Sequence, residues 1–157
     1  MMRLSESSSS EMNAFDISYA GRIQRHRHRQ IYVLDVCSTA RLIKWATEMV
    51  QGVEFIHTKG IRHSDLMLDQ WLLDDELHAR LSDFNSSGHD AYSALSLPRG
   101  QSVGLENPSH FMPRDYEEDS SVRPDLFALR SALYELEHGS APLADEDDDT
   151  ITERFRL

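Results

Sequence analysis

Apolar positions recur at helical spacing in two stretches of the chain and at strand spacing in one stretch between them. From about Thr39 to Thr58, Leu42, Ala46, Met49, Val53 and Ile56 fall three or four apart, and Trp45 widens the stripe. That period gathers them on one face of an α-helix. Ser38 or Thr39 can cap its start, and Gly60 stands just past its end, where a left-handed residue closes a helix. A second helix is expected from Pro124, a residue suited to the first helical position, to His138, with Gly139 as its stop. Leu126, Leu129, Leu133 and Leu136 line one side of it, with Phe127 and Tyr134 beside them. So wide an apolar face predicts a helix buried on most sides.

The segment between the helices reads differently. "QWLLD" and "HARLSDF" are two short strands joined by a turn around Asp74–Glu76, and residues 86–112 are loop-like. The acidic run "ADEDDD" (144–149) favours the N-terminus of a last helix, "TITERFRL". Ahead of the first helix, residues 1–21 are polar and Ser-rich and are expected to be disordered. Residues 22–37 form a basic and apolar lead-in. Within it "RIQRHRHRQ" reads as a solvated segment or edge strand rather than an anion or metal patch, because no Gly-rich loop or further ligand flanks it. "IYVLDV" is a short strand or a buried linker.

Composition narrows the classes. The chain has 157 residues, enough for one domain with a core, and its net charge is −11. That charge disfavours nucleic acid and anionic membranes as partners. Cys37 is the sole cysteine, so no disulfide forms within the chain. The polar start is not a secretory signal, and no run is long enough to span a bilayer. The expectation is a cytoplasmic or nuclear protein.

Two aspartates stand out from this pattern. Asp65 follows His63 by two positions, and Asp83 sits in "SDF". Taken singly, each reads as a cap or turn residue. Their order in the chain says more: helix, Gly, "HSDLMLDQ", hairpin, "DFN", long loop, "MPR" (Met112–Arg114), then a helix opening "PDLFAL". Over residues 38–157 this resembles the C-terminal lobe of a eukaryotic-type protein kinase, whose pattern is H-R-D-L-x-x-x-N, D-F-G, A-P-E and a helix that begins with Asp. The resemblance implies a mainly α fold with a short β-hairpin, a kinase-like C-terminal lobe without its N-terminal lobe and last helices. It also implies roles: Asp65 as the base that accepts the substrate hydroxyl proton, and Asp83 and Gln70 as ligands of Mg2+ on ATP. Leu72 would be a floor for the nucleotide base. His63 and Phe84 would pack inward, and Asp125 would accept hydrogen bonds from the catalytic-loop backbone.

The departures from that pattern bear on activity. The family's phosphate-pairing lysine lies on a strand of the N-terminal lobe, whereas Lys44 and Lys59, the two lysines here, lie in or just after the first helix. No G-x-G-x-x-G occurs, and the only glycine before residue 52 is Gly21. Ser64 replaces the Arg of H-R-D, Met67 replaces a lysine common in Ser/Thr kinases, and Gln70 replaces the metal-binding Asn. Asn85 stands for the Gly of D-F-G, a position where Asn is the next most tolerant of positive φ. Arg114 reverses the charge of the Glu of A-P-E, and Arg130 replaces a usual Gly on the second helix, where burial would require an anion or a route to water.

Three functions are open at this stage. The first is a degenerate, pseudokinase-like binding module or a non-functional fragment, with an unknown protein partner or self-association through exposed apolar surface. The second is an active ATP-dependent kinase whose N-terminal lobe lies outside this chain. The third is a metal-dependent hydrolase using Asp65 and Asp83, which no histidine at ligand spacing supports. The missing lysine and glycine loop favour the first.

Overall fold

The computed structural model describes residues 29–30, 38–114 and 121–156. The Ser-rich segment, most of the basic lead-in, "IYVLDV" and Cys37 lie outside the described residues. Helix α1 spans Thr39–Thr58. It buries Trp45, Met49, Val53 and Ile56, while Leu42 and Ala46 are partly buried. Ser38 occupies the cap position but its side chain makes no cap bond. Its carbonyl instead accepts the N–H groups of Arg41 (2.9 Å) and Leu42 (3.2 Å). The helix ends as Gly60, at φ +70°, donates to the His57 carbonyl at 2.9 Å. A Cβ on Gly60 would come within 2.8 Å of Asp90 Oδ2, so the turn needs glycine for space as well as for backbone.

Five short strands form two antiparallel sheets among the described residues. Strands β1 (Arg29–Gln30), β3 (Trp71–Leu73) and β4 (Ala79–Leu81) make one, in the order β1-β3-β4. Strands β2 (Ile61–Arg62) and β5 (Gly88–His89) make the other. The β3–β4 hairpin pairs Trp71 with Leu81, Leu72 with Arg80 and Leu73 with Ala79. Alternation buries Trp71 and Leu73 and leaves Leu72 half-buried between them. Gly52 of α1 allows the close approach of the Trp71 ring, which would lie 3.1 Å from a Cβ there. The hairpin turn is tied to α1 by side chains. Leu77 O accepts from Lys44 Nζ (3.0 Å) and Trp45 Nε1 (2.9 Å), and Glu48 accepts from the Ala79 N–H at 2.8 Å.

Helix α2 spans Arg123–His138 and stops at Gly139, whose φ is +80°. Its buried face keeps Leu129 and Leu136 of the expected leucine stripe, with Leu133 partly buried against the core, but leaves out Leu126. The buried residues are Pro124, Asp125, Ala128, Leu129, Ser131, Ala132 and Leu136. Leu126 is 50% exposed and Tyr134 42%, and Arg130 is exposed rather than buried. The small side chains of Ala128 and Ala132 turn to the core, and the buried arc centres near Ala132. That places Leu126 roughly 120° round the helix from the arc's centre. Arg130 then reaches water without needing an anion.

Helix α3 spans Asp148–Arg156 and starts inside the acidic run, two residues before "TITERF". Asp147 caps it, its carboxylate accepting from both N–H and Oγ1 of Thr150 at 3.0 Å. The core is one cluster that joins α1, the hairpin and α2 through Met49, Leu66, Trp71, Ala128 and Leu136. Among the described residues no helix is long and apolar enough to cross a membrane.

The altered face of α2 gives a direct comparison. Leu136→Ala should cost about 2–5 kcal/mol of unfolding free energy, and Leu126→Ala less than about 0.5 kcal/mol. Urea unfolding of both variants checks this, and equal losses would show that Leu126 belongs to the buried face.

Candidate functional site

The site begins with a buried carboxylate. Asp125 sits in the first turn of α2 and is 2% exposed. Its Oδ2 accepts from the His63 N–H and meets His57 Nε2, both at 2.8 Å, and its Oδ1 accepts from the Ser64 N–H at 2.8 Å. One side chain thereby joins the end of α1, the start of α2 and the loop that carries Asp65. Burial works to raise its pKa, but the bonds from His57, Ser64 and His63 outweigh this and hold it below the ordinary value. Ser64 lies at φ +64°, a region that non-glycine residues seldom occupy, and its bond to Asp125 helps hold it there.

Asp65 follows directly and is half-buried. Its Oδ2 accepts from Gln70 Nε2 at 3.3 Å, while its Oδ1 is buried without a hydrogen-bond partner. Burial is the main cause of a raised pKa at Asp65. The imidazoles of His63 and His110 oppose that rise, and the charge of Asp83 adds to it. The two aspartates are therefore close enough to feel each other.

His63 is fully buried, and its Nε2 donates to the Ser82 carbonyl at 2.8 Å. Phe84 leans on the His63 ring at 5.0 Å between centroids but stays 43% exposed, so it packs inward only in part. The Gln70 carbonyl accepts from both N–H (2.9 Å) and Oγ (2.8 Å) of Ser82, which ties the turn after Asp65 to the residue before Asp83.

Asp83 is exposed, with backbone at φ 59°, ψ 67°. The left-handed residue of "DFN" is therefore the aspartate, which tolerates that region better than most. Asn85, expected to need positive φ, instead lies in a 3-10 turn, Phe84–Ser86. Its side chain donates back to Asp83 Oδ1 at 2.6 Å.

Other expected residues lie apart. Leu72 is half-buried in β3, opposite Arg80 and Gln30. Two concavities, of about 400 and 370 Å³, lie against α2 and α3 and between α1 and α2; neither takes in Asp65, Gln70, Leu72 or Asp83. Lys44 is occupied at the hairpin turn, and Lys59 lies over the Phe55 ring at 5.4 Å. Among the described residues no group of three or more His, Cys, Asp or Glu is arranged to hold a metal ion.

Sequence reasoning missed two partners. Arg114 donates to both oxygens of Glu106, at 3.1 and 3.3 Å, in a buried pair. It also lies 4.7 Å from the Phe111 ring centroid. Burial is the main cause of a raised pKa at Glu106, against the pull of Arg114. The second partner is His57 on Asp125. The acid at position 106 lies near Arg114 in sequence and could have been proposed; His57, 68 residues from Asp125, carried no local signal.

Comparison with known proteins gives the same direction. No family model matches the chain. It is 30% identical over 115 residues to protein kinase C eta type of Mus musculus, covering 73% of this chain and 16% of that protein. It is 28% identical over 114 residues to protein kinase C delta type of Mus musculus, covering 72% and 16%. A putative protein kinase C delta type homolog of Drosophila melanogaster is 30% identical over 108 residues, covering 68% and 16%. The chain thus spans 16% of the length of these curated relatives, and over that stretch it is similar to protein kinase C.

The two carboxylates should behave oppositely. Asp125 has a depressed native pKa, so its stabilisation is complete above the unfolded value of 3.8 and is lost as pH falls through the lower native value. Asp125→Asn should cost on the order of 3 kcal/mol near neutral pH, a deficit that shrinks in acid. Asp65 has a raised native pKa, so its favourable contribution is complete below 3.8 and is lost as pH rises through the higher native value. Asp65→Asn should therefore raise the neutral-pH melting temperature. Thermal unfolding of both variants at neutral and acid pH checks the pair; a fall in Tm for Asp65→Asn near neutrality contradicts it.

Proposed function

We propose that this chain is a protein-kinase-like C-terminal-lobe region that keeps the scaffold of a catalytic loop and, by itself, transfers no phosphate. The observation that carries this reading is the Asp125 clamp. It holds the "HSD" loop by two backbone N–H groups and so fixes the base of Asp65, while both lysines of the chain are engaged elsewhere. The similarity to protein kinase C supports the kinase-like part of the reading.

ATP and Mg2+ are the ligands this reading brings. Asp83, Asp65 and Gln70 offer hard oxygen atoms, the donor type that Mg2+ takes. Their arrangement does not suit it. The Gln70 amide nitrogen is turned to Asp65, and the Asn85 amide occupies an oxygen of Asp83. Mg2+ tolerates little geometric error, so the set as it stands is a poor site. Leu72 remains the proposed floor for a nucleotide base, half-buried in β3.

The role left to such a region is binding. Ile43 (62% exposed), Val50 (46%), Phe55 (61%) and Leu126 (50%) place apolar surface along α1 and α2, which supports contact with a protein partner or a second copy.

A second reading is an active kinase whose phosphate-contacting lysine and glycine loop lie outside this chain. The free buried oxygen of Asp65 favours it, since a base needs an unoccupied lone pair. Transfer of labelled phosphate from ATP to generic protein substrates separates the two. The expected result is no transfer that depends on Asp65, together with ATP–Mg2+ binding no tighter than about millimolar, or about −4 kcal/mol. Transfer by the parent chain that is lost in Asp65→Asn would sink the inactive reading.

A further inference from the structure

A glycine at the third position of the "DFN" motif has no side chain with which to touch the aspartate. This chain has Asn85 there, and its Nδ2 donates to Asp83 Oδ1 at 2.6 Å. The geometry follows from the local backbone. Asp83 is left-handed, and the turn Phe84–Ser86, closed by the Ser87 N–H on the Phe84 carbonyl at 3.1 Å, returns residue 85 beside residue 83. We propose that the Asn85 amide is a resident competitor for a divalent cation at Asp83, and that removing the amide opens the carboxylate to metal.

The argument rests on the kinase-like reading for which carboxylate meets the cation, and on the structure for what stands in its way. An amide N–H and a divalent cation seek the same carboxylate lone pairs. While Asn85 holds one lone pair of Oδ1, a cation must share that oxygen with a short charge-assisted bond, displace the bond or use Oδ2. The neighbouring donors do not compensate. Gln70 presents nitrogen to Asp65, and Asp65 leaves one buried oxygen unpartnered. Asp83 and Asn85 are both exposed, so replacing Asn85 disturbs no core packing.

Mn2+ is the probe, titrated into the full chain without nucleotide and followed by electron paramagnetic resonance of the free ion. The variants are Asn85→Gly, Asn85→Ala and the double change Asp83→Asn with Asn85→Ala. Asn85→Ala and Asn85→Gly should both tighten Mn2+ binding, by about three- to tenfold, the range that the net worth of one hydrogen bond allows. The double variant should lose that gain. An unchanged constant for Asn85→Ala overturns the competition, whether or not Asn85→Gly binds better, because backbone freedom rather than the amide would then be responsible. That outcome leaves the phosphate-transfer result of the parent untouched. A gain that survives Asp83→Asn instead overturns Asp83 as the metal-facing carboxylate, and with it the kinase-like reading of the site.

Discussion

The burial of one carboxylate organises this molecule. A charged aspartate at 2% exposure is costly unless its lone pairs are filled, and Asp125 fills them with His57, His63 N–H and Ser64 N–H. Those donors come from the end of α1 and from the loop after β2. The charge can therefore be buried only when both elements are in place against the start of α2. The same bonds hold Ser64 in a backbone region that serine resists. Remove the carboxylate, and two buried N–H groups and the backbone of the Asp65 loop lose their common anchor.

A second set of bonds fixes the other aspartate. Lys44 and Trp45 grip the Leu77 carbonyl and Glu48 grips the Ala79 N–H, so α1 carries the hairpin turn. At the far end of the hairpin, Ser82 bonds twice to the Gln70 carbonyl and accepts the His63 ring on its own. Asp83 follows directly. The segments bearing Asp65 and Asp83 thus share partners, which is why the charge of one reaches the other. The Ser82–Gln70 bonds tie the segment bearing Asp83 to the one after Asp65, next to Trp71 of the buried core.

At three of the positions where the chain departs from the pattern it resembles, the structure shows how the change is accommodated. Arg114 brings a positive charge into a buried position and finds Glu106 within the same loop, with Phe111 against its guanidinium. Arg130 faces solvent. Asn85 folds back on Asp83. The fold absorbs all three without an unpaired buried charge.

The periodicity of α1 determined its range and its buried stripe, because a 20-residue amphipathic pattern with glycine beyond its end leaves few alternatives. The hairpin was legible for a similar reason: two short runs with apolar residues flank a polar turn. The order of "HSD", "DFN" and "PDL" singled out Asp65, Asp83 and Asp125, and the structure bonds Asp125 to the backbone of the loop that carries Asp65. What the sequence left open depended on which neighbour each helix meets. The leucine spacing in α2 found the side that buries Leu129 and Leu136 but misplaced Leu126, since helical spacing cannot tell that Ala128 and Ala132 approach the core more closely than Leu126. Likewise, positive φ was expected at Asn85 because it stands where the resembled pattern has Gly, yet the turn placed it at Asp83. The partners of Asp125 and Arg114, and the amide on Asp83, are set by distances between segments or by the path of a turn. Such distances exist only once the chain has folded, and there the tertiary structure alone decided.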